Sequence, residues 1–482
     1  MDDCDRIFFS TVAILVRISA MQSPSFLNCP LPRILHVAVY VLGWISWQSV
    51  AADGWKIGLA RQEITPQASV WMSGYASRDH GAEGPRTPLW AKAIAFEDAN
   101  EKRALLITLD LVGVSSDVTG PVRQSLAEDL ELSVADILIN CSHTHTGPVV
   151  GENLRTMYIL DEKDSHLIRT YTSELKQHLI KLGKTAFHKR QTARLRAGQS
   201  HATFATNRRQ NPESHVPAWR AAGKLLGPVD YSVPILEVRN ENNELQGLVF
   251  GYACHATVLS DYHWSGDYPG YAQAYLEDAY QGVQAMFWAG CGADINPLPR
   301  RKVELAEAYG KALGEAVIRG IEGALPEVDP TLETYYEEIP LRFDTLPTKE
   351  ALERGAQSEN RYAASRANKW LEHLATGQTI PHTYDYPVGL WRFGDQIEWI
   401  SLGGEVVVDY ALRFKREYGQ HVWVAGYSHD VMAYIPSKRV WTEGGYEGGG
   451  SMVYYGQPTR WSSDVEFQVT QAVQRLMNTT QE

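Results

Sequence analysis

The stretch Ile137 to Val150, ILINCSHTHTGPVV, ends an apolar run in two histidines one residue apart, His143 and His145. An imidazole can ligate a metal or move a proton near neutral pH. Ile137-Leu138-Ile139, followed by polar residues and Gly147-Pro148, reads as a buried strand running into a loop. Alternate side chains of an extended backbone point the same way, so this spacing aims both imidazoles at one pocket. It suits one metal ligand beside one acid/base or hydrogen-bonding group. Two histidines in a polar turn are often merely exposed. Here a strand places them, and Ser142, Thr144 and Thr146 surround them with hydroxyls, which favours chemistry.

Other stretches offer partners. GLVFGYACHATVLS, Gly247 to Ser260, is a second apolar strand that delivers His255 at its end, with Cys254 before it. Alone, a histidine there is more often a satisfied core residue than a ligand. Ser265-Gly266-Asp267-Tyr268 then leads into a helix over Gly270 to Asp278. A short strand, Ala285 to Trp288, ends in AGCGADINPLPR, a glycine-rich turn that carries Asp294 and Asn296. Backbone amides of such turns hold anions, and without further context it is simply a tight turn. Glu405 sits where a strand breaks at Gly403-Gly404 and a helix begins, so it is either a cap or a metal carboxylate. Tyr434 precedes Ile435-Pro436, and Tyr446 and Glu447 follow on the next loop. Gly74-Tyr75 and Arg86, in a loop from Ser73 to Pro88, are placed to line a cleft, and Asp110 closes a strand as a cap or a site residue.

The elements that must position these residues alternate along the chain. Trp55 to Ile64, Lys92 to Phe96, Ala104 to Leu109 and Thr192 to Ala197 read as strands. Val118 to Leu130, His166 to Lys184 and Glu466 to Met477 read as helices. Val328 to Tyr384 departs in composition and reads as a linker plus a helical arm, Thr348 to Thr376, inserted at about 345–380. At 482 residues and 44% hydrophobic content, the chain can bury a large core. A net charge of −12 excludes a phosphate-neutralising nucleic-acid binder. Fourteen Trp and 24 Tyr suit a fold that grips sugar rings or acyl chains, though most belong in a core.

Residues 1–51 read as a leader. Arg33 precedes the apolar run His36 to Trp47, and Ser49-Val50-Ala51 fits a small-x-small cleavage site. The run is short for a membrane span, so the expectation is an exported chain, periplasmic or extracellular, without a transmembrane segment once mature. Cys4 and Cys29 go with the leader. Cys141, Cys254 and Cys291 remain, an odd number that leaves room for one disulfide at most and no disulfide scaffold.

Taken together, these stretches resemble the neutral ceramidase family. Its SATHTHSGP is met by Cys141 to Pro148, its FAVHGTS-type strand by Tyr252 to Thr257, and its SGDNKGYA by Ser265 to Ala272. Its PGE-type turn is met by Gly403-Gly404-Glu405, its tyrosine before Ile-Pro by Tyr434, and its following Tyr-Glu by Tyr446-Glu447. Gly58 to Pro66 resembles its opening GKADITP-type segment. The resemblance implies an α/β fold in which mixed sheets pack face to face between flanking helices. It also implies a zinc ion held by His143, His255, Glu405 and Tyr434, and an N-acyl bond cleaved by a zinc-activated water. His145 would stabilise the oxyanion or protonate the leaving group, with Tyr446 assisting. Asn207-Arg208 resembles the family's NRS segment, which makes Arg208 a further candidate.

Two departures matter. The family's GDVSPN loop has a serine where this chain has Asn296, in Gly292 to Pro297; asparagine can donate a hydrogen bond but is no nucleophile. The sequence also ends soon after Met477, so the family's C-terminal immunoglobulin-like domain is not expected. Substrates on this reading are small acylated molecules, a lipid amide or an acylated sugar. A zinc-dependent esterase or carbohydrate-active hydrolase, and a non-catalytic zinc-containing lipid- or glycan-binding protein, remain open.

Overall fold

Alternating apolar residues build two sheets that share a core. In the computed structural model, residues 54–479 are described. The expected leader, with Cys4 and Cys29, lies outside the described residues. The large sheet contains β1 (Trp55–Glu63), β2 (Trp90–Glu97), β3 (Arg103–Leu109), β4 (Ile137–Cys141), β5 (Gln191–His201), β6 (Ser232–Asn240), β7 (Leu245–Tyr252) and β8 (Gln284–Ala289). Its order is β8-β7-β6-β5-β1-β2-β3-β4. The small sheet runs β9 (Leu332–Arg342), β10 (Thr383–Phe393), β11 (Ile397–Leu402), β12 (Val422–Ala425). Both are mixed: β3–β4, β7–β8 and β11–β12 are parallel pairs in otherwise antiparallel sheets.

The period of two sorts residues between faces. Leu106 and Leu138 join the core between the sheets, while Leu105, Ile107, Ile137 and Ile139 join the core beneath the helices. Tryptophans dominate the layer between the sheets. Trp288 lies 5.1 Å from Trp399 and 6.2 Å from Trp423 between ring centroids, and Phe96 meets Trp391 edge-on at 6.3 Å. These rings are therefore core. Helices Ser116–Leu130, Glu162–His188, Asp267–Ala279 and Val303–Glu322 cover the large sheet, and Val465–Met477 packs on β9 and β10. The architecture is αββα, and among the described residues there is no separate immunoglobulin-like domain. No helix of the described residues is long and apolar enough to cross a membrane.

The segment read as a linker is different. β9 pairs with β10 from Leu332↔Phe393 to Arg342↔Thr383, and the helical arm interrupts this hairpin. The sequence of β9, LETYYEEIPLR, hides the strand because charged residues populate its half-exposed face. The arm is also two helices, Lys349–Ala356 and Arg361–Ala375. Asn360 separates them by accepting the amides of Tyr362 and Ala363, an N-cap that starts the second helix. Cys141, Cys254 and Cys291 are buried and free, so no disulfide links them.

Candidate metal centre

Three strand ends meet. Asn140, inside β4, accepts the Ala289 amide of β8 at 2.9 Å and donates to the Gly426 carbonyl at 2.7 Å, after β12. This ties one edge of the large sheet to the other and to the small sheet. His143 follows β4, His255 follows β7 and Glu405 follows β11. Glu405 and Tyr434 are direct partners in a two-residue parallel bridge, which explains why residues so far apart in sequence share a site.

The paired histidines converge differently from the sequence expectation. β4 ends at Cys141, and His143 takes a left-handed backbone, φ 63°. Strand alternation therefore does not aim the imidazoles; a kink does, of the strained kind concentrated at functional sites. The two rings stand perpendicular, with centroids 4.8 Å apart and Nε2 atoms 3.1 Å apart. Gly74, at φ 97°, backs onto His145 so closely that a Cβ there would strike the ring. Tyr75, next to Gly74, has its ring centroid 4.8 Å from that of His145. Arg86 instead pairs with Asp261 at 2.9 Å.

Around the cluster, backbone carbonyls fix which nitrogens point inward. His143 Nδ1 meets the Val112 carbonyl at 2.5 Å, and His255 Nδ1 meets the Gly292 carbonyl at 2.7 Å. Carbonyls only accept, so each Nδ1 carries the proton and each Nε2 presents a lone pair. Both Nε2 atoms face Glu405 Oε2, at 3.1 and 3.0 Å. His255 Nε2 is also 3.3 Å from the Tyr434 hydroxyl. Glu405 Oε2 is buried and receives no hydrogen bond among the described residues. A carboxylate oxygen without a donor, beside imidazole lone pairs, is the donor set of a cation site. The ligating atoms of His143, His145 and His255 lie within 4.8 Å of one another, so these three could hold a metal ion. Glu405 and Tyr434 are in reach of the same point.

Electrostatics agree with that arrangement. Burial lowers the pKa of His255 to about 4, with Arg208 adding to the effect, and burial holds His145 well below its ordinary value. Both are neutral at pH 7. Burial opposes ionisation of Glu405; positive charge at its Oε2, such as a proton on the His143 or His255 imidazole, overrides it and holds the carboxyl well below its usual range.

Arg208 donates to Tyr434 at 3.1 Å, to Glu447 at 2.8 Å and to Asn296 at 3.4 Å. Tyr446, 42% exposed, stands at the mouth with its ring 5.2 Å from that of Tyr434. Asp294 belongs elsewhere. Its carboxylate accepts the Val408 amide at 2.9 Å and the Asn207 side chain at 3.2 Å, and it caps helix Val408–Tyr418. The cap once open to Glu405 is thus supplied by Asp294, whose carboxyl burial raises to about 6. Asp110 is likewise engaged by the Trp90 amide and Gln273. Sequence reasoning passed over Tyr455, whose hydroxyl bonds Glu405 Oε1, and Tyr427, whose ring lies 4.4 Å from that of His143. Tyrosine-rich loops offered no signal to separate these two from packed neighbours.

The family model described as neutral/alkaline non-lysosomal ceramidase, N-terminal, matches residues 55–296, half of the chain. The neutral ceramidase of Pseudomonas aeruginosa is 26% identical over 229 residues, 46% of this chain and 33% of that protein. The match thus spans about a third of that relative's length. Two solved structures share the fold. The crystal structure of the Pseudomonas aeruginosa neutral ceramidase has TM-score 0.67 at 18% identity, covering 87% of this chain and 73% of that one. A ceramidase complexed with C2 has TM-score 0.66 at 17% identity, covering 89% and 77%. The chain belongs to the neutral/alkaline non-lysosomal ceramidase family.

Proposed function

We propose that this protein is an exported, zinc-dependent amidase that hydrolyses an N-acyl bond. One observation carries the reading: Glu405 Oε2, buried and without a donor, sits 3.1 and 3.0 Å from two imidazole nitrogens whose other nitrogens are tied to carbonyls. His143, His255, Glu405 and Tyr434 would hold the ion, a mixed nitrogen and oxygen set that suits zinc. When bound, zinc supplies Lewis acidity and makes water acidic enough to act near neutral pH.

The remaining residues act on the substrate. His145 is partly exposed and neutral, so one nitrogen can donate to the developing oxyanion or relay a proton to the leaving amine. Arg208 adds fixed positive charge beside Tyr434, and the Asn296 amide can donate to the same oxygen. Tyr446 at the mouth orients the bound amide. Asp294 is a positioning residue on this account, since it braces Asn207 and the helix after Glu405.

Metal analysis with a chelator-sensitive screen of N-acyl and O-acyl compounds tests the reading. Stoichiometric zinc and chelator-abolished amide hydrolysis are expected. Turnover of O-acyl compounds alone would make the protein an esterase. Zinc without any turnover would make it a binding protein.

A further inference from the structure

Beside the metal cluster lies a cavity of about 520 Å³, within the range of small-molecule sites. It opens onto Arg208, Asn296 and Tyr446, and continues to Arg209, Arg300 and Glu213. Its aliphatic lining is limited to Pro212 and Leu298. Small-molecule pockets are usually lined mostly by apolar side chains, and one shaped for two alkyl chains would be. Seating hydrocarbon against these guanidinium and carboxylate groups would strip water from charge without replacement.

The charges are unevenly satisfied. Three arginines face two carboxylates in the lining, Glu213 and Glu447, although the whole chain carries −12. Arg208 and Arg209 share Glu447, at 2.8 and 2.5 Å, and Arg209 also reaches Glu443 at 2.9 Å. Arg300 touches Glu213 through Nε alone, at 3.2 Å. Its two Nη groups have no protein acceptor among the described residues, and its side chain remains 18% exposed. A planar guanidinium with its forked end free matches an oxyanion.

We propose that Arg300 binds a carboxylate or phosphate on the substrate, which makes the natural substrate a hydrophilic, acidic N-acyl amine. This inference rests on the amidase reading of the adjoining metal centre and specifies its substrate class. Arg300 is a specificity-determining residue on this account, outside the metal centre.

The test uses the full-length, zinc-loaded protein and paired probes. p-(Octanoylamino)benzoate, p-(octanoylamino)phenyl phosphate and neutral p-(octanoylamino)benzamide report turnover. The corresponding octanesulfonamides cannot be hydrolysed and report binding by calorimetry. The anionic probes are expected to exceed the neutral one by about tenfold or more in kcat/KM and affinity, the usual scale of a charge-assisted pair. Whichever anion is preferred identifies the group. Arg300→Gln should erase the preference through KM with kcat retained, and Arg300→Lys should restore part of it. Equal binding of charged and neutral sulfonamides, a preference that survives Arg300→Gln, or neutral long-chain ceramide as the best substrate would overturn the proposal. Selective sulfonamide binding with no amide cleaved would instead sink the amidase reading and leave the pocket assignment standing.

Discussion

Tyr455→Phe isolates the least conspicuous contact of the candidate metal centre. The Tyr455 hydroxyl bonds Glu405 Oε1, while Oε2 faces His143 and His255. Burial raises the Tyr455 pKa well above its ordinary value, so the hydroxyl stays protonated and remains the donor. Glu405 is 3% exposed and Tyr455 6%, so water cannot readily replace a lost partner. Phenylalanine keeps the ring and removes only the oxygen. A hydrogen bond to a buried charge is worth about 1.5–3 kcal/mol. Outer partners of metal ligands typically cost about 10–100-fold in metal affinity when removed, which is about 1.4–2.7 kcal/mol. The two routes agree. Competition against a chelator of known affinity should therefore show zinc held about 10–100-fold more weakly, with the fold retained by circular dichroism. Unchanged zinc affinity in Tyr455→Phe would mean that the hydroxyl neither orients nor polarises Glu405, and that Glu405 is no ligand.

Four further outcomes are expected. His143→Ala should lose the metal, whereas His145→Ala should keep it and lower kcat by about 10²–10⁴-fold; equal zinc loss in both would make His145 a ligand. Gly74→Ala places a Cβ against the His145 ring and a side chain at φ 97°, so melting should fall by the equivalent of about 1–2 kcal/mol and turnover should drop. Trp288→Ala opens the layer between the sheets and should cost about 3–5 kcal/mol in denaturant unfolding, because Trp288 is 2% exposed between Trp399 and Trp423. Burial raises Asp430 to about 7, against the opposing hydrogen bond from Tyr384. The folded state thus holds its proton more tightly than the unfolded chain does, so this contribution is full below about pH 4 and lost as pH rises through 7. Melting temperatures from pH 5 to 8 should decline less steeply in Asp430→Asn than in the parent; equal slopes would refute the assignment.

What could be read from the sequence was local, and what could not be read was brought together by chain closure. Ile137-Leu138-Ile139 announces a strand because apolar residues three in a row need burial, and Gly403-Gly404 announces a break because glycine ends regular structure. β1 to β5, β7 and β8 were legible in this way, as was His143 at a strand's end. β9 was not, since its half-exposed face is filled with glutamates and tyrosines. The proposed ligand set came from family resemblance, and the bridge that pairs Glu405 with Tyr434 is what brings two of its members together. No periodicity encodes that pairing. Asp294 shows the same limit: a carboxylate in a glycine-rich turn looks chemical, yet it caps a helix 114 residues later. Tyr455, 50 residues beyond Glu405, looks like one more packed tyrosine. Asn140 is the residue on which the geometry turns, because its amide spans β8 and the loop after β12 at once. Replacing it would leave the Ala289 amide and the Gly426 carbonyl buried without this partner and would loosen the strand that carries His143. A polar residue inside the most apolar strand of the site was therefore the signal to follow, since such a group is tolerated in a core only where its hydrogen bonds are met.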